Sequence, residues 1–514
     1  MRDTIHWHDW SSAAVAEAAT QHKPILLSLV TAWSEECAAM DEATYGRPDV
    51  IDAAERHCVA IRVDADRRPD LNERYNLGGW PTTALLTPDG HVLSGGTYLG
   101  PDELIALVTQ VAHAWRDRAD EIREKIDAAG RTRLQPREIS GSVRRQPDRD
   151  AVPWFRAFLI DHFDPANGGF GTGPKSPHVP AMQFAVTLAD EDADEALKEI
   201  VDVTLGGIDM LWDAAHGGFY RSADAPDWSR PATEKTLDDN AAVLNLLLDA
   251  AVRLGSEACR ERAADLVRWA KHVLAARDNE AEGGFFNSQA AVSRAIDCAM
   301  YADRNADMIG AFIRAASLFD DPWLRDFALK SLEAVVVPGY VPGQGVSHTA
   351  GPRGPALRTA PEYVGRVLSD PAARSAVRGL LGDQIRVTSA LIRTHLATGQ
   401  LPYSMLAAEL MQYAIRTMWD EGAACFRDRV EEEAPLWPFG LNCEAACVLD
   451  RMATMTGDAA YHDRAVTILG TLSPEYRRHG VFAAPYALAV LEVIERRAPP
   501  GLELSPVDWY LDKD

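Results

Sequence analysis

The sequence predicts a multidomain chain of two folded parts in series, an α/β domain followed by an all-α ring of helical hairpins. Three observations predict it. The 514 residues exceed what one hydrophobic core organises. The first quarter alternates short β-branched runs with polar, helix-compatible stretches, whereas the chain beyond residue 150 shows apolar residues at three- and four-residue steps. A Gly-Gly-aromatic segment also returns several times through the second part, as hairpin repetition requires.

The first domain, residues 1–125, opens with Lys23-Pro24 ahead of an apolar run at 25–30, read as a buried strand. Helix-compatible stretches follow at 35–45 and 49–56. A β-branched strand at 58–63 should lie parallel to the first, by the crossover rule. Strands at 82–87 and 92–94 flank Pro88-Asp89-Gly90, a hairpin turn, and a helix from Pro101 to about Arg123 closes the unit. Strand, helix, strand, hairpin, helix is the thioredoxin layout. In that layout the active-site turn follows the first strand, at Trp33-Ser34-Glu35-Glu36-Cys37, and the resemblance to thioredoxin-like folds implies a cis-proline before the hairpin, at Pro81.

Residues 126–150 lose apolar character and accumulate arginine, glycine and proline, a linker composition. The second domain, residues 151–500, is helical throughout. Helices are expected at 152–161, 180–190, 194–212, 237–254, 257–275, 304–318, 322–336, 383–398, 403–418, 441–456, 459–470 and 484–497. In the fourth, Leu237, Ala241, Leu244, Leu248 and Ala251 share a face, and Thr236 with Asp239 forms a helix-start signal. Twelve helices make six hairpins, the number of an (α/α)6 toroid. Asp164-Pro165-Ala166-Asn167-Gly168-Gly169-Phe170 recurs from Asp213 to Phe219, from Glu280 to Phe285 and, weakly, from Asp420 to Phe426. Residues 338–361, rich in glycine and proline, are read as a lid or a mobile connection, and 501–514 as a C-terminal tail.

Polar residues open the alternate helices, whose middles are apolar. If those helices form the inner ring, their first turns line one mouth of the toroid. Glycoside hydrolysis needs two carboxyl groups across the scissile bond, and the candidates are Glu234, Asp239, Asp303, Asp383 and Glu444. Lys175, His178, Trp228, Asn240, Asn305 and Asn442 are the candidates for binding a carbohydrate-like ligand. Aspartate and asparagine are also ordinary helix caps, so the same set has a structural reading. Cys443 and Cys447 lie one helical turn apart without a third ligand nearby, and no metal set is read.

Trp7-His8-Asp9-Trp10, Val63-Asp64, Gly78-Gly79-Trp80-Pro81, Thr87-Pro88-Asp89-Gly90 and Gly173-Pro174-Lys175-Ser176-Pro177 resemble the spermatogenesis-associated thioredoxin-like family. Its members join a thioredoxin-like domain to a six-hairpin glycosidase-like toroid. The resemblance implies that the family motif Cys-His-Trp-Cys-His falls on Ser34-Glu35-Glu36-Cys37-Ala38, so the nucleophile is Ser34 and only the resolving Cys37 remains. Serine cannot replace a thiolate in disulfide exchange, which argues against a reductase. It also implies that Glu234, Lys235, Asp239 and Asn240 are kept while the family histidine is Ala232, which argues against sugar epimerisation. Three functions stay open: a binding or scaffold protein with a carbohydrate-like ligand, a glycoside hydrolase, and a single-thiol role for Cys37.

The formal net charge of -24 repels phosphate backbones and anionic lipid, so neither nucleic acid nor membrane is an expected partner. The first ten residues show no secretory signal, and the seven cysteines are scattered, as in a reduced compartment. A cytoplasmic protein without a cofactor is the expectation. Oligomeric state cannot be read from the sequence.

Overall fold

The computed structural model describes residues 4–133, 145–232, 234–278, 281–290, 293–349, 377–430 and 435–497. They divide into two compact units, one from the first 133 residues and one from residue 145 onward. The expected tail at 501–514 and the second half of the expected lid at 338–361 lie outside the described residues.

In the first unit β1 (Ile25–Val30) pairs in parallel with β2 (Val59–Asp64) and antiparallel with β3 (Thr82–Leu86), which pairs with β4 (Val92–Gly96). The sheet order is β2-β1-β3-β4. Helices α1 (Ser12–Gln21), α2 (Glu35–Met40), α3 (Pro48–His57), α4 (Pro69–Tyr75) and α5 (Pro101–Arg133) complete it. Ser11 and Ser34 cap α1 and α2 with their hydroxyls, and proline starts α3 and α4, where a missing N–H costs nothing. β1 is buried on both faces, which is why its run is almost continuously apolar. One difference from expectation is that α5 runs to Arg133, into the stretch read as linker. Ala128, Ala129, Arg131 and Arg133 continue there, and the helix propensity of alanine and arginine outlasts the loss of apolar periodicity.

All twelve helices expected in the second unit are present: α6 (Ala151–His162), α7 (Val179–Glu191), α8 (Glu195–Asp209), α9 (Leu237–Arg253), α10 (Glu257–Val273), α11 (Ala302–Phe319), α12 (Pro322–Gly339), α13 (Leu381–Thr398), α14 (Leu401–Thr417), α15 (Phe439–Thr456), α16 (Ala459–Leu472) and α17 (Ala484–Ala489). The last passes into a π turn, Val490–Ile494. Helices α7, α9, α11, α13, α15 and α17 pack side by side in that order, and α17 returns to α7, closing an inner ring. Each inner helix has an outer partner: α8, α10, α12, α14 and α16 follow theirs in sequence, and α6 covers α17. This is the (α/α)6 toroid, with one continuous apolar core between the rings. No helix among the described residues is long and apolar enough to cross a membrane.

The Gly-Gly repeat turns small β-hairpins that follow the outer helices. Trp212 bridges Phe219, Ala275 pairs with Phe285, and Trp419 with Phe426. Gly218 sits at φ +81, and a Cβ there would lie 2.5 Å from the indole of Trp269, so both backbone angle and space demand glycine. A further copy, Tyr340–Val341 against Gly345–Val346, lacks the aromatic and escaped the sequence reading.

Candidate functional site

In the first unit the turn after β1 places Ser34 and Cys37 at the start of α2. Ser34 Oγ accepts the backbone N–H of Cys37 at 3.2 Å, and the Trp33 indole donates to Asp66 at 2.7 Å. Trp80–Pro81 is cis, and the Trp80 ring packs edge-on to Trp33 at 5.3 Å. Cys37 is 4% exposed, and burial pushes its thiol up to about 11. A protonated, covered thiol is a poor nucleophile, which counts against a single-thiol role. The purified protein is expected to reduce insulin disulfides no faster than buffer. Turnover that disappears in Cys37→Ser would contradict this.

In the second unit, four of the six inner helices carry an amide at their fourth residue, and its task is structural. Asn240 accepts from the backbone N–H of Phe219 at 2.8 Å and donates to the Phe219 carbonyl at 3.0 Å and to the Thr236 carbonyl at 2.9 Å. Asn305 does the same with Phe285 and Tyr301, and Asn442 with Phe426 and Pro438. Gln384 repeats the pattern with Val346 and Leu380. Each amide thus latches an inner helix to the hairpin before it, and spends its hydrogen bonds on backbone. Asn240, Asn305 and Asn442, expected to bind ligand, are fully buried clamps.

Other binding candidates are likewise absorbed by the fold. Lys175, 1% exposed, donates to Asp164 and the Gly171 carbonyl, both at 2.8 Å, tying down its own Gly-Gly loop. Lys235 repeats this with Asp213 at 2.6 Å and the Gly217 carbonyl at 2.7 Å. Trp228 is buried, with its indole donating to the Asn167 carbonyl at 2.8 Å. His178 precedes α7 in a left-handed conformation, packed near Phe170 and Phe482. Glu234 lies buried in a short strand, with Arg221 at 3.3 Å. None of these lines the cavity of the ring.

That cavity, of about 450 Å³, lies inside the inner ring, and all six inner helices contribute to it. Asp238, Asp239 and Asn245 line it from α9, Asp307 and Arg314 from α11, Arg386 and Arg393 from α13, and Cys443, Glu444, Cys447 and Arg451 from α15. Of the five carboxyl candidates, Asp239 and Glu444 therefore face it. The spacing follows helical stripes: 238, 239, 242 and 245 on α9, and 444, 447, 448 and 451 on α15. Arg386, Arg314 and Arg451 were missed, although charged residues in otherwise apolar inner helices are a readable signal. Cys443 belongs to the core between the rings and Cys447 packs against it, and both also border the cavity.

Electrostatics in the cavity are built around Arg386, which has Glu444 at 3.2 Å and Asp307 and Asp303 each at 3.6 Å. Glu444 and its neighbours hold the guanidinium well above its usual range. Thr236 caps α9 and donates to Asp239 Oδ2 at 2.6 Å, as the Thr-x-x-Asp signal predicts. Burial, with the Asp238 charge beside it, pushes the Asp239 carboxyl up to about 7. Burial, outweighing the opposing Arg386, brings Asp307 to about 7 as well. Arg314 spans from the cavity wall to Asp249 at 2.5 Å, and Gln183 donates to the other oxygen of Asp249 at 2.7 Å. Arg451 pairs with Glu492 through two hydrogen bonds of 2.7 and 2.8 Å.

Asp303 and Asp383 do not line the cavity. They meet behind Arg386, around a residue not singled out from the sequence, His348. Its Nδ1 is 2.8 Å from Asp383 and 3.8 Å from Asp303. Burial alone raises an aspartate, but beside Asp303 the positive charges of His348, Arg386 and Arg304 outweigh it and the carboxyl is held low. At Asp383 burial prevails over His348 and the carboxyl is raised.

The family described as "Protein of unknown function, DUF255" (Thioredox_DsbH) matches residues 1–133. The chain is 27% identical over 260 residues to "Uncharacterized protein B0495.5" of Caenorhabditis elegans, covering 47% of this chain and 35% of that protein. It is 26% identical over 314 residues to "Spermatogenesis-associated protein 20" of Rattus norvegicus, covering 56% of this chain and 39% of that one. The matches therefore span little more than a third of the length of these curated relatives. The resemblance read from the sequence holds. Among solved structures, a sugar epimerase from a ruminal bacterium superposes with a TM-score of 0.52 at 14% identity, over 64% of this chain and 86% of that one. At that identity the likeness establishes the toroid fold.

Proposed function

We propose that the cavity of the toroid binds a carbohydrate-like small molecule, in a protein whose thioredoxin-like domain does not act as a disulfide reductase. The observation that carries this is the convergence of Asp238, Asp239, Asp307, Arg386 and Glu444 from four inner helices on one cavity of about 450 Å³. Such a volume suits a small ligand, and a ring of carboxylates and guanidinium groups offers the acceptors and donors that hydroxyl groups need. The name of the solved sugar epimerase agrees with this chemistry.

A second reading, glycoside hydrolysis, is favoured by one feature. Asp239 and Asp307 are each pushed to about 7, and a carboxyl part-protonated at neutral pH is what a general acid requires. Ser34 in the nucleophile position and the covered thiol of Cys37 give a redox reading no comparable support.

The test is calorimetry and thermal unfolding with neutral monosaccharides and disaccharides, on wild type and Asp239→Asn. A saturable interaction in wild type, weakened at least tenfold in the variant, is the expected result. Unfolding against pH supplies the control. The Asp239 carboxyl is raised from 3.8 to about 7, so the stability it contributes is complete below 3.8 and is lost as pH rises through 7. Asparagine does not titrate, so the variant should equal wild type near pH 4 and exceed it by about 1–3 kcal/mol at pH 8. If no sugar binds, or the variant binds as well as wild type, the proposal fails.

A further inference from the structure

We propose that Asp303, His348 and Asp383 form a binding site for one divalent first-row transition-metal ion, Zn²⁺ or Mn²⁺ by ligand type. The three residues come from different segments. Asp303 is in the first turn of α11, Asp383 in the first turn of α13, and His348 lies just past the short strand Gly345–Val346. One ligand atom from each lies within 4.8 Å of the others. A single ion about 2.1 Å from nitrogen and oxygen ligands separates neighbouring ligand atoms by roughly 3.0–3.5 Å. The His348 Nδ1 distances of 2.8 and 3.8 Å, to Asp383 Oδ1 and Asp303 Oδ1, bracket that range.

An independent observation points to a ligand. Asp383 is 1% exposed, and among the described residues its Oδ2 has no hydrogen-bond donor although it is shielded from water. Two other buried carboxylates of the ring do have donors: Asp249 has Arg314 and Gln183, and Glu492 has Arg451. Leaving a buried carboxylate oxygen without any partner is costly, and a proton shared between His348 and Oδ1 does not relieve it. A cation seated among the three groups does. One imidazole and two carboxylates suit Zn²⁺ or Mn²⁺. Thiolate-preferring ions and the all-oxygen ions Mg²⁺ and Ca²⁺ fit the set less well.

Such an ion would pin the starts of two neighbouring inner helices to each other. It would also border the ligand cavity through Arg386, whose Nη1 is 3.6 Å from Asp303 Oδ2. The inference does not depend on which small molecule the cavity takes.

The full-length protein, stripped with a chelator and exchanged into metal-free buffer, is titrated with Zn²⁺ and separately with Mn²⁺. Binding is followed by calorimetry and thermal unfolding. The expected result is one equivalent per chain for at least one ion, with a rise in Tm. Asp383→Asn should weaken binding at least tenfold while leaving the metal-free Tm within a few degrees, and His348→Ala should abolish it. Should His348→Ala not fold, Asp383→Asn carries the test alone. Co²⁺ bound in place of the ion should show no thiolate charge-transfer absorption, which distinguishes this site from the seven cysteines. Asp239→Asn, which addresses the sugar proposal, should bind metal like wild type. Absence of saturable binding to wild type, or binding unchanged in Asp383→Asn, overturns the inference.

Discussion

Asn305→Ala is expected to lower the stability of the helical unit by about 3–5 kcal/mol. The alanine removes both hydrogen bonds to Phe285 and leaves that residue's buried N–H and carbonyl without the amide that satisfied them. A deserted buried backbone group costs roughly 1–3 kcal/mol, and the side-chain void adds to it. The carbonyl of Tyr301 loses less, because the backbone N–H of Asn305 still donates to it at 3.0 Å. Urea unfolding followed by far-ultraviolet circular dichroism measures the difference. Asn442→Ala should cost a similar amount, since its three hydrogen bonds are the same. A loss below about 1 kcal/mol in both would show that these amides are dispensable, and the clamp interpretation would be wrong.

Asp249→Ala should be comparably damaging, by about 3–5 kcal/mol, because it strands the guanidinium of Arg314 inside the ring. Asp249 and Arg314 are 1% and 4% exposed, and with Gln183 and Asn245 they tie α7, α9 and α11 together. The sharper result comes from the double variant Asp249→Leu with Arg314→Leu. Removing both charges leaves no uncompensated ion, so the double variant should be more stable than Asp249→Ala alone. Additive losses would mean that the two side chains contribute independently. The measurement is the urea midpoint for Asp249→Ala, for the single variants Asp249→Leu and Arg314→Leu, and for the double.

These effects bear on what the sequence could disclose. Helix positions were legible because periodicity and caps are local: Thr236 with Asp239 marked the start of α9, and the coordinates bear this out. In the first unit the parallel pairing of β1 with β2 and the hairpin of β3 with β4 followed from apolar runs, the crossover rule and one turn, whereas the antiparallel pairing of β1 with β3 was not read. The roles of Asn240, Asn305 and Asn442 were not legible. An amide in a first helical turn looks the same in sequence whether it meets a sugar or a backbone 16 to 21 residues away. Their regular placement at the fourth helical residue, beside recurring Gly-Gly-Phe segments, was the available clue to a structural task. Asp303 and Asp383 were selected for their charge, yet their neighbour is His348, 35 residues from Asp383 and set in a glycine-rich stretch without periodicity. Arg386 and Arg314 sit among apolar residues of inner helices. Only closure of the ring determines that such positions face a common interior.

That closure has a kinetic side. Most outer helices pack on an inner helix that directly precedes them, but α6 covers α17 from the opposite end of the chain. The joint includes the hydroxyl of Tyr486 accepting from the N–H of Asp148, 338 residues away, and Tyr476 donating to the Asp148 carboxylate. Closing a contact over that separation costs only about 0.6 kcal/mol for each doubling of the separation, since closure entropy grows logarithmically. Non-local pairing nevertheless slows folding far more than it weakens the folded state. Five hairpins can therefore assemble by zipping neighbour to neighbour into an open arc. The joint between α6 and α17 sets the pace of the final step, and a circular permutant with new termini elsewhere in the ring would turn this slowest contact into a local one.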